Sequence, residues 1–165
     1  MKRCLLVIFV FVILLASCAT SGEKLTERLT YAEIIEISGT AQVDLYTKAN
    51  MWFVDVFRNA ESVIQFSDRD SGVIMGKYIN RGLTSGIYFF EITTTITVEI
   101  RDERCRISFT DPIYQYIGDA LNGTYARPGA SGPVETVAMA GKIQEEWLIL
   151  AESLKNSLLS NSGNW

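Results

Sequence analysis

From Tyr88 to Arg101 the chain alternates without a break: Tyr88, Phe90, Ile92, Thr94, Ile96, Val98 and Ile100 on one parity, Glu91, Thr93, Thr95, Thr97, Glu99 and Arg101 on the other. A period of two places each set on its own face of an extended strand, and no helix accommodates it. Asp102-Glu103 then turns the chain, after which Cys105, Ile107 and Phe109 alternate with Arg104, Arg106 and Ser108. A two-residue turn pairs Ile100 with Cys105, Val98 with Ile107 and Ile96 with Phe109, and sets Glu99 opposite Arg106. A slip of one residue would spoil both faces together, so the pattern dictates an antiparallel hairpin with one dry and one wet face. On this register Cys105 is a small buried hydrophobe rather than a reactive thiol.

The flanking segments supply the cover that such a sheet needs. Tyr31 to Ile37 is rich in β-branched residues and reads as a strand. Ser38-Gly39-Thr40 offers turn and capping chemistry. From Ala41 to about Asn59, Leu45, Trp52, Val56 and Ala60 recur at helical intervals, with Asp44, Lys48 and Asp55 off the stripe. Ser62 to Ser67 and Gly72 to Ile79 read as strands joined by Asp68-Arg69-Asp70-Ser71, with Gly72 supplying a positive φ. Asp68, Asp70 and Gly72 share the opening spacing of a calcium loop, but the full ligand set with its closing glutamate is missing. Asn80-Arg81-Gly82 and Gly86 read as a break before the long strand.

Residues 111–133, rich in Gly and Pro, form a long connection carrying Tyr114, Tyr116, Tyr125 and Arg127, the candidate partner contacts. The structural alternative is that this segment caps the sheet edge or packs on the helix. Asn122-Gly123-Thr124 reads as a turn. Gly132-Pro133 and Glu135 open a last helix whose stripe is Val137, Ala140, Trp147, Ala151, Leu154 and Leu158, widened by Leu148 and Leu150. Its polar side carries Glu145, Glu146 and Glu152, which favours packing on the sheet over lying on a membrane.

The start of the chain has a different character. Lys2 and Arg3 precede an apolar run from Leu5 to Ala16, too short to span a bilayer at about 20 residues. Small residues and a cysteine follow, the layout of an export signal. Leu15-Ala16-Ser17-Cys18 resembles the lipobox of bacterial lipoproteins. That resemblance implies a diacylglycerol on the Cys18 sulfur, a leader over residues 1–17, and retention on a membrane outside the cytoplasm, at the outer membrane where the host has two. Residues 18–30 are then the lipidated cysteine and a tether, 31–160 a single domain, and 161–165 a tail.

Removing Lys2 and Arg3 from the 15 basic residues leaves 13 against 19 acidic ones, a net charge of −6. A nucleic-acid binder shows the reverse balance. The chain has no histidine, which excludes histidine triads and histidine zinc sites. Of three cysteines, only Cys105 lies in the domain, so no internal disulfide is available. No nucleophile–base pair and no cofactor motif is evident, and the expectation is a non-catalytic protein without cofactor or metal.

The fold class is therefore α+β: an antiparallel sheet of about five strands with two helices, in the order strand, helix, four strands, helix. This resembles the repeat unit of the TATA-box-binding-protein-like (TBP-like) fold, and in particular an exported bacterial family of unknown function with that fold. The resemblance rests on Trp52, on Asp70, Gly72, Ile74 and Gly76 in the first hairpin, and on the turn Arg101-Asp102-Glu103-Arg104-Cys105-Arg106. Glu103 and Cys105 depart from the Gly and Tyr usual in that turn. The family implies architecture and no catalytic set. The functional expectation is a binding or assembly module held to the membrane by its lipid, using the open sheet face or residues 111–133 to hold a protein partner or a small ligand. The alternative is a carrier of a small apolar ligand between helix and sheet, for which a helix-grip fold is the structural form.

Overall fold

The computed structural model describes residues 23–57, 59–124 and 129–160. Cys18, Tyr125 and Arg127 lie outside the described residues. The elements run β1 (Tyr31–Glu36), α1 (Gln42–Val56), a helical turn α2 (Ala60–Val63), β2 (Ile64–Asp68), β3 (Val73–Ser85), β4 (Tyr88–Arg101), β5 (Arg104–Asp119), β6 (Gly123–Thr124), β7 (Ser131–Pro133) and α3 (Val137–Leu159). The main sheet has the order β1-β5-β4-β3-β2, with β6 and β7 also pairing β5. All the pairings are antiparallel. The α+β expectation of about five strands and two main helices is met.

The central hairpin has the register that the alternation dictates: Ile100 faces Cys105, Val98 faces Ile107 and Ile96 faces Phe109. These six side chains are buried, and with Ile74, Ile92 and Tyr78 they form the sheet's dry face. Leu45, Ala49, Trp52 and Phe53 of α1 and Ala140, Ile143, Trp147, Ala151, Leu154 and Leu158 of α3 close over it. Phe109 and Trp147 stack at 5.4 Å with an interplanar angle of 9°. The two helices are joined directly where the Trp52 indole donates to Ser153 Oγ at 3.0 Å. Cys105 is fully buried, and burial pushes its thiol up to about 12.

Several local expectations are corrected. The first helix starts after Ala41, and no side chain of the 38–40 turn caps it. Gln42 N–H instead donates to Asp102 Oδ1 at 2.8 Å, a cap supplied from across the fold. The helix ends at Val56, and Ala60 belongs to the separate turn α2, so β2 begins only at Ile64. β3 does not stop at Ile79. It passes through Asn80-Arg81-Gly82 to Ser85, accommodating the glycine as a bulge at φ +132°. Glu135 lies outside the last helix, which begins at Val137 after the N-cap Thr136. Leu148 faces solvent rather than widening the buried stripe.

The expected connection from Asp111 is not a free loop. β5 continues to Asp119 past a bulge at which Asp111 takes φ +50°. Pro112 is tolerated because a proline without an N–H fits a bulge, where the ladder is already interrupted. The chain then doubles back: β6 pairs Gly118 and Asp119, and β7 pairs Ile113, Tyr114 and Gln115. Since β1 covers Arg104 to Phe109, the outer side of β5 is paired at both ends, as the edge-capping alternative requires.

Part of the expected tether is also docked. Leu29 is buried, Leu25 N–H donates to Glu135 O at 2.7 Å, and Val137 N–H donates to Glu23 O at 3.0 Å. No helix among the described residues is long and apolar enough to cross a membrane.

Candidate functional site

Both helices pack on one face of the sheet, and the other face is open among the described residues. Alternation decides its composition. One cross-strand row reads Ala32, Ser108, Thr97, Met75 and Phe66, and another reads Ile113, Thr93 and Ile79. Thr110, Thr95 and Lys77 lie between them. Ile34, Phe66, Met75, Ile79 and Ile113 are 38–62% exposed. A one-sided antiparallel sheet needs only polar residues on its wet face, so five large apolar side chains there are an addition to what folding requires.

Charge is concentrated at the two ends of this face. At one end Arg81 Nε meets Glu91 Oε1 at 2.9 Å. At the other, the turn between β4 and β5 brings Arg101, Arg104 and Arg106 together, and with Ile34, Glu99 and Cys105 they line a cleft of about 260 Å³. Arg106 Nε donates to Glu99 Oε2 at 2.6 Å, the cross-strand pair expected from the register. The turn itself holds Glu103 at φ +62°.

The tyrosines singled out in the sequence have a structural task. Tyr114 and Tyr116 sit on β5, half-buried, each packed edge-on against Phe90 at 6.0 Å, with Tyr88 a further 6.0 Å from Tyr116. A Cβ on Gly129 would enter the Tyr116 ring, so the returning chain lies directly on that tyrosine. Tyr116 Oη donates to Asp119 Oδ2 at 2.7 Å, and Asp119 Oδ1 accepts the Leu121 and Asn122 amides, both at 2.9 Å. These bonds, the tyrosine's foremost, draw the Asp119 carboxyl down to about 2. The expected turn at Asn122 is thus fixed by Asp119, and Tyr114 and Tyr116 are half-buried in the aromatic packing of this edge while Tyr88 stays exposed.

Between helices and sheet Trp52, Phe53, Phe109 and Trp147 are buried side by side. Tyr78 Oη, Thr94 Oγ1 and Trp147 Nε1 lie near one another there, yet none meets a protein partner in hydrogen-bonding geometry. Beside them Glu146 accepts from Asn80 Nδ2, and burial raises its carboxyl above the usual range. Asp68 Oδ1 accepts the Asp70 amide at 3.0 Å, as a turn-forming aspartate does. Among the described residues no group of three or more metal-ligating side chains is assembled.

The arginine end was missed by sequence reasoning although its signal was present. The register that pairs Ile100 with Cys105 also sets Arg101 opposite Arg104.

No curated protein matches the chain. Among solved structures, it is similar to a TBP-like protein from Parabacteroides distasonis ATCC 8503, at 15% identity and a TM-score of 0.60, over 80% of this chain and 96% of that one. It is also similar to a DUF4468 family protein from Bacteroides ovatus ATCC 8483, at 13% identity and a TM-score of 0.58, over 90% of this chain and 95% of that one. Likeness at such identities concerns the fold, and it is the TBP-like fold rather than the helix-grip alternative. Residues 31–115, from β1 into β5, match the model of the domain of unknown function DUF4468 with TBP-like fold, and the chain belongs to that family.

Proposed function

We propose that this protein is a non-catalytic binding module, anchored outside the cytoplasm by lipid on Cys18, that holds a partner protein of the cell envelope on its open sheet face. The observation that carries the reading is the asymmetry of the sheet: one face is sealed by two helices, the other carries Ile34, Phe66, Met75, Ile79 and Ile113 exposed among threonines. A broad face of this kind suits a protein surface, because a small molecule needs enclosure in a cleft or cavity. Leu15-Ala16-Ser17-Cys18 supports the anchor, and each acyl methylene buried contributes about 0.8 kcal/mol. The apolar-carrier reading gains no support from the packing, since Trp52, Trp147, Phe109 and Ile96 occupy the interface where cargo would sit.

The test is made in cells. Photo-reactive residues at Met75 and Ile79 are expected to cross-link a discrete envelope protein, while the same residue at Leu148 or Ile149, exposed on the outer side of α3, is not. Cross-links only from α3 would overturn the choice of face. Cys18→Ala is expected to move the protein from the membrane fraction to the soluble one, and continued sedimentation with membranes would refute the anchor.

A further inference from the structure

We propose that the cleft at the β4–β5 turn is a binding site for a phosphoryl group, held by Arg101 and Arg104. The site stands at one end of the open face but does not depend on a partner docking there. Its basis is a charge imbalance that the fold creates and leaves uncorrected.

Arg101 and Arg104 are direct cross-strand partners. Like charges in that position oppose strand pairing. The nearest acids are all engaged or set apart. Asp102 Oδ1 accepts Gln42 N–H at 2.8 Å, and Glu103 Oε1 accepts Gly39 N–H at 2.8 Å, so both turn carboxylates are directed toward the start of α1. Glu99 is taken by Arg106. Glu36 is in register with Arg104 on β1 but forms no ion pair with it. Among the described residues, neither Arg101 nor Arg104 has a carboxylate within 4.0 Å. In a chain of net charge −4, two adjacent uncompensated guanidinium groups are not a by-product of a basic surface.

Two positive charges lining one cleft call for a ligand of about two negative charges, which a phosphomonoester carries at neutral pH and a single carboxylate does not. The guanidinium fork also fits phosphate oxygens in pairs. The cleft, about 260 Å³, is below the range of about 300 to 1,000 Å³ that encloses a whole small molecule. It is sized for the phosphoryl end of a larger molecule, and Ile34 on its wall, 62% exposed, offers apolar contact to what the phosphate is attached to.

The test uses the purified full chain at low ionic strength, with arginine Nε–H resonances followed by NMR during titration with inorganic phosphate, glycerol 3-phosphate and its dihexanoyl ester. Saturable shifts of the Arg101 and Arg104 signals are expected in the parent, and the affinity read from the Asp102 and Glu103 backbone amides is expected to be at least tenfold weaker in Arg101→Gln/Arg104→Gln and in Arg101→Glu. Both variants remove the like-charge pair and neither sets a second acid against Glu36, so their melting temperatures should stay near the parent's or exceed it, which separates lost binding from lost fold. Tighter binding of the dihexanoyl ester assigns the phosphate to a lipid headgroup, and equal binding of glycerol 3-phosphate assigns it to a soluble ester. Absence of saturation with all three probes, retention of binding in both variants, or equal binding of acetate would overturn the proposal. Loss of the cross-links from Met75 and Ile79 would not bear on it.

Discussion

Thr94 occupies an apolar parity position on β4 and is buried to 1%, yet its hydroxyl has no protein partner in hydrogen-bonding geometry. The bulge at Asp111 also leaves Thr94 without a register partner on β5, although Thr93 and Thr95 both have one. A buried unsatisfied hydroxyl carries a desolvation penalty, and a methyl of the same shape removes it. Thr94→Val is therefore expected to raise stability by about 1 kcal/mol, read from chemical denaturation. Cys105 shows the opposite outcome at the same scale. Its position in the alternating pattern foretold burial, because parity alone selects the face.

Hairpins show where pattern reading succeeds and where it stops. Gly72 ends the β2–β3 turn at φ +69°, as its place after Asp68-Arg69-Asp70-Ser71 implies. What no local pattern shows is the crowding around it: a Cβ would collide with the Ile100 carbonyl oxygen and lie 2.9 Å from Gln42 Nε2. Gly72 N–H and C=O are both used as well, the carbonyl accepting Ile100 N–H at 2.7 Å. Gly72→Ala should thus cost about 2 to 3 kcal/mol, a left-handed backbone penalty joined to a steric one, and lower the melting temperature. In β5 the local pattern points the wrong way. Asp111-Pro112 reads as a strand terminator, whereas the bulge uses a left-handed non-glycine residue and a proline to continue the strand and bring Tyr114 and Tyr116 into the sheet.

At the level of the molecule, stability depends on joining two helices to one sheet face through a few large side chains. Trp147 is fully buried, stacked on Phe109, and belongs to a helix of 23 residues, roughly 34 Å long at 1.5 Å per residue. Trp147→Ala is expected to cost about 3 to 5 kcal/mol, measured by denaturant unfolding. That is a large share of the roughly 5 to 15 kcal/mol typical of a domain. The same arrangement produces function in the proposed reading. Among the described residues, sealing one face leaves the other to display exposed apolar residues and the Arg101–Arg104 pair together.

The sequence by itself determined the fold class, the hairpin register, the burial of Cys105 and the Glu99–Arg106 pair, because a period of two assigns every side chain to a face without reference to distant residues. Only the tertiary structure decided that β1, β6 and β7 share the outer side of β5, that Asp102 caps a helix about sixty residues away, and that among the described residues Arg101 and Arg104 form no ion pair. These depend on contacts between segments far apart in the chain, and the local order of residues carries no record of which segments will meet.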